Sequence, residues 1–194
     1  MIYILLAAYN ESGAIGILLA KISKVLTGIP YQIVLVNDGS QDNTVAVAER
    51  YRGKINLEVI THSQNRGLGA ALTTGLNFIL KKLTPADIVI TLDADDTHPP
   101  ELIPFIIQRI TSLIGEDGIG RLKAGVADLV VASRFCPGGK EYGLAWYRKI
   151  LSRGAGLILR ILRPYSGLRD YTCGYRGFSG KLLLTARQKY GDKL

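Results

Sequence analysis

Cysteine is almost missing from this 194-residue chain; Cys136 and Cys173 are the only two. Two thiols make no disulfide framework, and their spacing matches no metal finger. A reducing, cytosolic compartment is the default expectation. His62 and His98 have no partner spacing that suggests zinc, which leaves them structural or capping roles. Long apolar runs are also lacking. The best candidates, 102–107 and 154–159, are interrupted by Arg109 and Arg160, short of the roughly 18 residues a membrane span needs. The opening MIYILLAAYNESG has no basic segment before its apolar stretch, so it reads as a first strand and not as a signal peptide. The glycines around Gly67 lack both the GxGxxG dinucleotide spacing and the GxxxxGK[ST] of a P-loop. No internal repeat, no nucleic-acid-binding motif and no basic activating loop of the nucleotidyltransferase kind is present.

What is there is a chain that is 47% apolar and long enough to bury the core of one domain. Its net charge of +8 is unevenly spread. Residues 1–120 carry 9 basic and 12 acidic side chains, whereas residues 121–194 carry 15 basic and 4 acidic ones. The first part suits an ordinary enzyme core. The second suits anions: phosphates, an anionic membrane surface or nucleic acid.

Apolar strand-like runs at 2–7, 32–36, 57–61, 87–92 and 128–132 alternate with helix-like stretches at 12–26, 44–51, 69–83 and 100–113. Near-continuous apolar strands separated by helices predict an α/β fold, a Rossmann-like, mostly parallel sheet with helices on both faces. Ligands then bind at the carboxyl ends of the strands. The loops there are AYNES, NDGSQD, HSQNRG, DADDTHPP and SRFCPGG, all polar. Residues 115–125 read as an exposed connector, and 141–163 as an amphipathic helix, or two short ones, in which arginines alternate with Leu, Ile and Trp146.

Each loop admits two readings. Asp93 and Asp95 lie two residues apart, and on an extended chain their carboxylates point to one side. A hard divalent cation such as Mg²⁺ or Mn²⁺ suits them. The alternative is a helix start, with Asp96 or Thr97 as cap ahead of Pro99-Pro100-Glu101. Asp38, in NDGS, either accepts a hydrogen bond from a base ring or belongs to a turn ahead of a helix cap at Asp42. Glu11 and Tyr9 either meet a ribose hydroxyl and a base or sit in a loop capped by Ser12. The small residues of NRGLGAA (65–71) let backbone approach a ligand at a helix N-terminus that favours phosphate. The arginines of the basic part suit phosphate oxygens, or a solvated surface.

The order of these segments is more specific than any one of them. AYNE, NDGS-x-D-x-T, NRGLGAAL, DADDTHPPE, SRF…GG and DYTCGYRGF resemble the family 2 glycosyltransferases of the GT-A fold, from residue 2 to about 180, and within them the polyprenyl-phosphate (dolichyl-phosphate) mannose or glucose synthases. The resemblance implies that Ala8, Tyr9, Asn10 and Glu11 form the donor-nucleotide loop, that Asp38 reads the base, and that Arg66 lies near the nucleotide. It makes Asp93, Ala94 and Asp95 the DxD segment, with Asp93 and Asp95 as metal ligands. Arg134, Arg148 and Ser152 match the arginine, the second arginine fourteen residues on and the serine four beyond that handle donor and acceptor phosphates. Two positions depart from the pattern: Asn37 stands where many relatives have Asp, and Thr97 replaces a common Gln that helps bind metal. Relatives continue after GYRGF with a strand, a basic helix and in some cases transmembrane helices, so a truncated or minimal version is expected.

The implied function is an inverting, metal-dependent transfer of a hexose from a nucleotide diphosphate sugar, GDP-mannose ahead of UDP-glucose, to a polyprenyl or dolichyl phosphate. Asp95, Arg134 and Arg148 are the implied catalytic residues. The expected organisation is one domain over 1–194, with a nucleotide-sugar part at about 1–114 and an acceptor or membrane-facing part at about 126–194, peripheral on the cytoplasmic face of a membrane. The rival readings are a saccharide acceptor, and a non-catalytic nucleotide-sugar-binding protein of the same fold.

Overall fold

The computed structural model describes residues 1–111, 127–133, 170 and 173–191. The elements are β1 (Ile2–Ala8), α1 (Ile15–Val25), β2 (Tyr31–Asn37), α2 (Thr44–Glu49), β3 (Leu57–Thr61), α3 (Leu68–Leu80), β4 (Ile88–Asp93), a 3₁₀ turn (Pro100–Leu102) leading into α4 (Ile103–Thr111), β5 (Leu129–Val131), β6 (Arg176–Ser179) and α5 (Gly180–Tyr190). The strands form one sheet in the order β3-β2-β1-β4-β6-β5. Strands β1 to β4 pair in parallel, and β6 runs antiparallel to both β4 and β5. The expected mostly parallel sheet, with helices on both faces, is what the chain forms.

The central strands read as unbroken apolar runs because both of their faces are covered. Along β1, Ile2, Ile4 and Leu6 pack with α1 and α4, while Tyr3 and Leu5 pack with α3 and α5. Helix α1 places Ile15, Leu18, Leu19 and Ile22 on one stripe, at the 3.6-residue period, and all four are buried. Each such side chain contributes roughly 1.5–3 kcal/mol of burial. Helix α3 approaches the sheet so closely that a Cβ on Gly75 would meet Leu5 Cδ1 at 2.2 Å.

Several boundaries differ from expectation. Helix α1 begins at Ile15, without a side-chain cap, because residues 11–15 are tied into turns by bonds from Ala14 and Ile15 N–H to the Glu11 carbonyl. Ser12 is therefore not its cap. The 3₁₀ turn follows Pro99, and Pro100 takes its first position, also without a side-chain cap. Neither Asp96 nor Thr97 caps it. Strand β6 begins inside GYRGF, and α5 follows with Lys181, Arg187 and Lys189. The four-residue RGFS gave no periodicity to find the strand by. The connector at 115–125, the basic stretch at 141–163, and Arg134, Arg148 and Ser152 lie outside the described residues.

Candidate active site

The loops after β1 and β2 are stitched together by reciprocal hydrogen bonds. Asn10 N–H donates to Ser40 Oγ (2.9 Å), and Gln41 N–H returns a bond to Asn10 Oδ1 (2.9 Å). Glu11 N–H donates to Thr44 Oγ1 (2.8 Å) and Ser12 N–H to Asp42 Oδ2 (3.0 Å). Asp42 also accepts from the Thr44 N–H and hydroxyl. The Thr44 hydroxyl above all, with burial acting against it, holds the Asp42 carboxyl well below the usual carboxylate range. Asn10 adopts a left-handed φ of 57°. Its side chain serves the loop, and it does not line the cavity described below.

Asp38 directly follows β2 and is 3% exposed. Burial alone would raise its pKa, but its partners outweigh that and hold it below the ordinary carboxylate value. His62 Nδ1 lies 2.7 Å from Oδ1, which also accepts from Arg66 N–H at 3.0 Å, and Oδ2 accepts from Gly67 N–H at 2.8 Å. The far side of the His62 ring, Nε2, lies 3.0 Å from Thr74 Oγ1 on α3. The loop after β3 thus hangs on Asp38. Gly39 makes this approach possible: it has φ +72°, and a Cβ there would lie 2.3 Å from the Gln64 carbonyl carbon. Arg66 contributes its backbone N–H to Asp38; the residue is exposed and does not line the cavity described below.

Across the cleft stand the carboxylates at the end of β4. Asp93 is the last strand residue, and the chain turns at Ala94 and Asp95. The turn, and not strand alternation, brings the two aspartates to one cavity. Asp95 Oδ1 accepts from Thr97 N–H (3.0 Å) and from the Thr97 hydroxyl (2.7 Å), which is what Thr97 does in place of capping. Asp96, at φ +58°, points the other way and meets Lys21 Nζ on α1 at 2.6 Å. His98 Nδ1 accepts from Asp93 N–H (3.2 Å), and its ring packs on Tyr175, so it braces this end of β4. Glu11 faces the same space. Burial first, then Asp95, Asp42 and Asp93, push its pKa up.

A cavity of about 330 Å³ joins these walls. The end of β1 contributes Ala8, Tyr9 and Glu11, the end of β2 contributes Asp38, and the end of β4 contributes Asp93, Ala94 and Asp95. Most of the expected donor-side residues are therefore brought together. Gly67, Leu68 and Ala71, at the start of α3, line the same cavity, and NRGLGAA was the signal for them. A second cavity of about 440 Å³ shares Tyr9 and Asn65 and is lined by polar groups, among them Asn37, Ser40 and His62. Asn37 Oδ1 accepts from Ser40 N–H (3.2 Å), so an amide does the work of holding this turn where an Asp was expected.

The residues at the cavity fit a hard divalent ion. The donors are oxygens, and Glu11 registers the negative charge of both aspartates. Among the described residues no group of three or more His, Cys, Asp or Glu is placed to hold a metal by itself. Asp93 and Asp95 are the carboxylates that would hold such an ion, with further oxygen ligands from outside the chain. Among the same residues no helix is long and apolar enough to cross a membrane.

Comparison with known proteins gives a consistent result. The dolichol-phosphate mannosyltransferase of Pyrococcus furiosus is 33% identical over 175 residues, which cover 90% of this chain and 44% of that protein. The polyprenol monophosphomannose synthase of Mycolicibacterium smegmatis is 28% identical over 182 residues, 93% of this chain and 62% of that protein. The chain thus spans less than two thirds of the length of these relatives. Glucosyl-3-phosphoglycerate synthase from Mycobacterium tuberculosis, crystallised with Mn²⁺, UDP and phosphoglyceric acid, has the same fold, with a TM-score of 0.64 and 22% identity over 99% of this chain and 66% of that one. The GT-A expectation holds on that likeness and on the sheet order. The family model for Glycosyl transferase family 2 matches residues 3–113, more than half of the sequence, and the chain belongs to that family.

Proposed function

We propose that this chain transfers a hexose, mannose from GDP-mannose first, from a nucleotide diphosphate sugar to a polyprenyl or dolichyl phosphate, with inversion at the anomeric carbon. The observation that carries the reading is the meeting, in one cavity, of the Asp38 wall with Asp93, Asp95 and Glu11. The acceptor class is supported by the names of the relatives above, which share most of this chain.

The donor's base packs on Tyr9, an exposed ring between the two cavities, and meets Asp38 through a ring N–H. Glu11 takes a ribose hydroxyl. Asp93 and Asp95 would hold Mg²⁺ or Mn²⁺, which when bound supplies positive charge against the departing diphosphate. The bond from the anomeric carbon to the diphosphate oxygen breaks, and its electron pair leaves with the nucleoside diphosphate. An acceptor phosphate oxygen forms the new bond from the opposite face. That phosphate is already ionised near neutral pH, so no strong general base is needed. Arg134, Arg148 and Ser152 are the groups proposed to orient it, each charge-assisted contact contributing on the order of 1.5–3 kcal/mol. The arginine-rich stretch at 141–163 is proposed to rest on the cytoplasmic face of an anionic membrane.

The test is a transfer assay with polyprenyl phosphate and a donor panel that includes GDP-mannose and UDP-glucose, with Mn²⁺, with Mg²⁺ and with a chelator. Metal-dependent appearance of the sugar in the lipid fraction is expected. Turnover with saccharides alone would replace the acceptor, and nucleotide binding without any transfer would remove the activity. Flotation of the protein with liposomes tests the membrane reading, which fails if binding is insensitive to anionic lipid and salt.

A further inference from the structure

His62 is not in the donor-nucleotide loop or the DxD segment, yet it is buried at 8% exposure directly behind Asp38. An ionised carboxylate only accepts hydrogen bonds, so the short contact makes Nδ1 the donor. The Thr74 hydroxyl can donate to Nε2, and a neutral ring carrying its proton on Nδ1 then satisfies both neighbours. The result is a chain of contacts from α3 through the loop after β3 to the end of β2.

A carboxylate offers about four acceptor positions. Three at Asp38 are taken by His62, Arg66 N–H and Gly67 N–H. The position that remains belongs to Oδ2, and Asp38 lines the cavity. Almost complete burial removes most of the water that would compete for it. A single acceptor held this way favours a base that presents a ring N–H, as uracil does at N3 and guanine at N1. It repels the bare ring nitrogen that cytosine and adenine present at the corresponding edge. How sharply it discriminates depends on how firmly the carboxylate is held, and among the described residues His62 is the only side chain on it.

We propose that His62 is a positioning residue for base selection: it fixes the Asp38 carboxylate, and Thr74 fixes His62, so that one free acceptor position meets the ring N–H of the donor's base. This deepens the function proposed above and rests on its assignment of Asp38 to the base.

The test measures dissociation constants of UDP, GDP, CDP and ADP, all with Mn²⁺, on the full chain. Wild type is compared with Asp38→Asn, His62→Leu, His62→Asn and Thr74→Val, each checked for folding by its melting transition. Wild type is expected to prefer UDP or GDP over CDP and ADP. His62→Leu should lose on the order of tenfold of that preference, the scale of one hydrogen bond to a charged group, while CDP and ADP bind as before. His62→Asn, whose amide nitrogen can stand in for Nδ1, should restore most of the preference, and Thr74→Val should lose a smaller part of it. Equal weakening of all four nucleotides in His62→Leu marks a merely structural residue and overturns the proposal. So does a preference that Asp38→Asn abolishes and His62→Leu keeps. A wild type without preference, or one unchanged by Asp38→Asn, overturns the base assignment of Asp38 and the proposal with it. Should His62→Leu fail to fold, Thr74→Val decides, and an unchanged preference there overturns the proposal.

Discussion

The two walls of the cleft are both built from carboxylates at strand ends, but they are treated in opposite ways. Asp38 is buried, and His62 and two backbone N–H groups donate to it, so its pKa is held down. Glu11 opposite is pushed up by burial, Asp95, Asp42 and Asp93. One wall is satisfied by its own chain at all but one acceptor position of Asp38. The other concentrates negative charge at the mouth of a cavity. What distinguishes the walls is whether the surrounding groups favour or oppose the ionised form.

Changes to the two walls should separate activity from stability. The largest effect expected is on transfer: Asp95→Ala should lower the metal-dependent rate on the order of 10²–10³-fold, the scale of losing one group that stabilises developing charge. Its melting temperature should move little, since two bonds from Thr97 are lost while repulsion with Glu11 is relieved. Asp38→Ala should weaken donor binding and, unlike Asp95→Ala, cost stability as well. It strands a His62 N–H and two backbone donors, at about 1–3 kcal/mol for each buried group left unsatisfied, which denaturant titration would register.

The pH dependence follows from the same contrast. Asp38 is depressed in the fold, so its contribution is present above the unfolded value of about 3.9 and is lost as pH falls toward the folded one. Urea melts between neutral pH and the acid range should lose stability less steeply in Asp38→Asn than in wild type. Glu11 is raised, so its contribution is present below the unfolded value and is lost as pH rises through the folded one. Glu11→Gln should accordingly gain a fraction of a kcal/mol at neutral pH, a small effect because the site is partly open to solvent. Smaller still is Lys21→Met. The ion pair with Asp96 is solvent-accessible, and its loss should change the melting free energy by about 0–1 kcal/mol.

Much of this was legible in the sequence. The apolar runs of β1 to β4 predicted the parallel sheet because both faces of those strands are covered, and the polar loops after them are where the cavity lies. Asp93, Asp95 and Asp38 stood out by type and position. What stayed hidden depends on contacts between distant segments. His62 looked inert because its partner lies 24 residues away in sequence, and Asp96 because its counter-ion is on α1, 75 residues earlier. Strand β6 was missed because RGFS is too short to show alternation, and it is held by pairing with β4 and β5. The place of Thr97 before two prolines offers it, with Asp96, as a cap, but the turn at Asp95 takes its hydroxyl.

The central claim is that the acidic wall takes a divalent ion together with a nucleotide diphosphate. The most direct measurement is calorimetric binding of GDP and UDP with and without Mn²⁺, in wild type and Asp95→Ala. Mn²⁺ is expected to tighten binding to wild type on the order of tenfold, a typical coupling between two ligands, and the variant to bind nucleotide alike in both conditions. Equal affinity with and without Mn²⁺ in wild type, or an undiminished Mn²⁺ effect in Asp95→Ala, would contradict it.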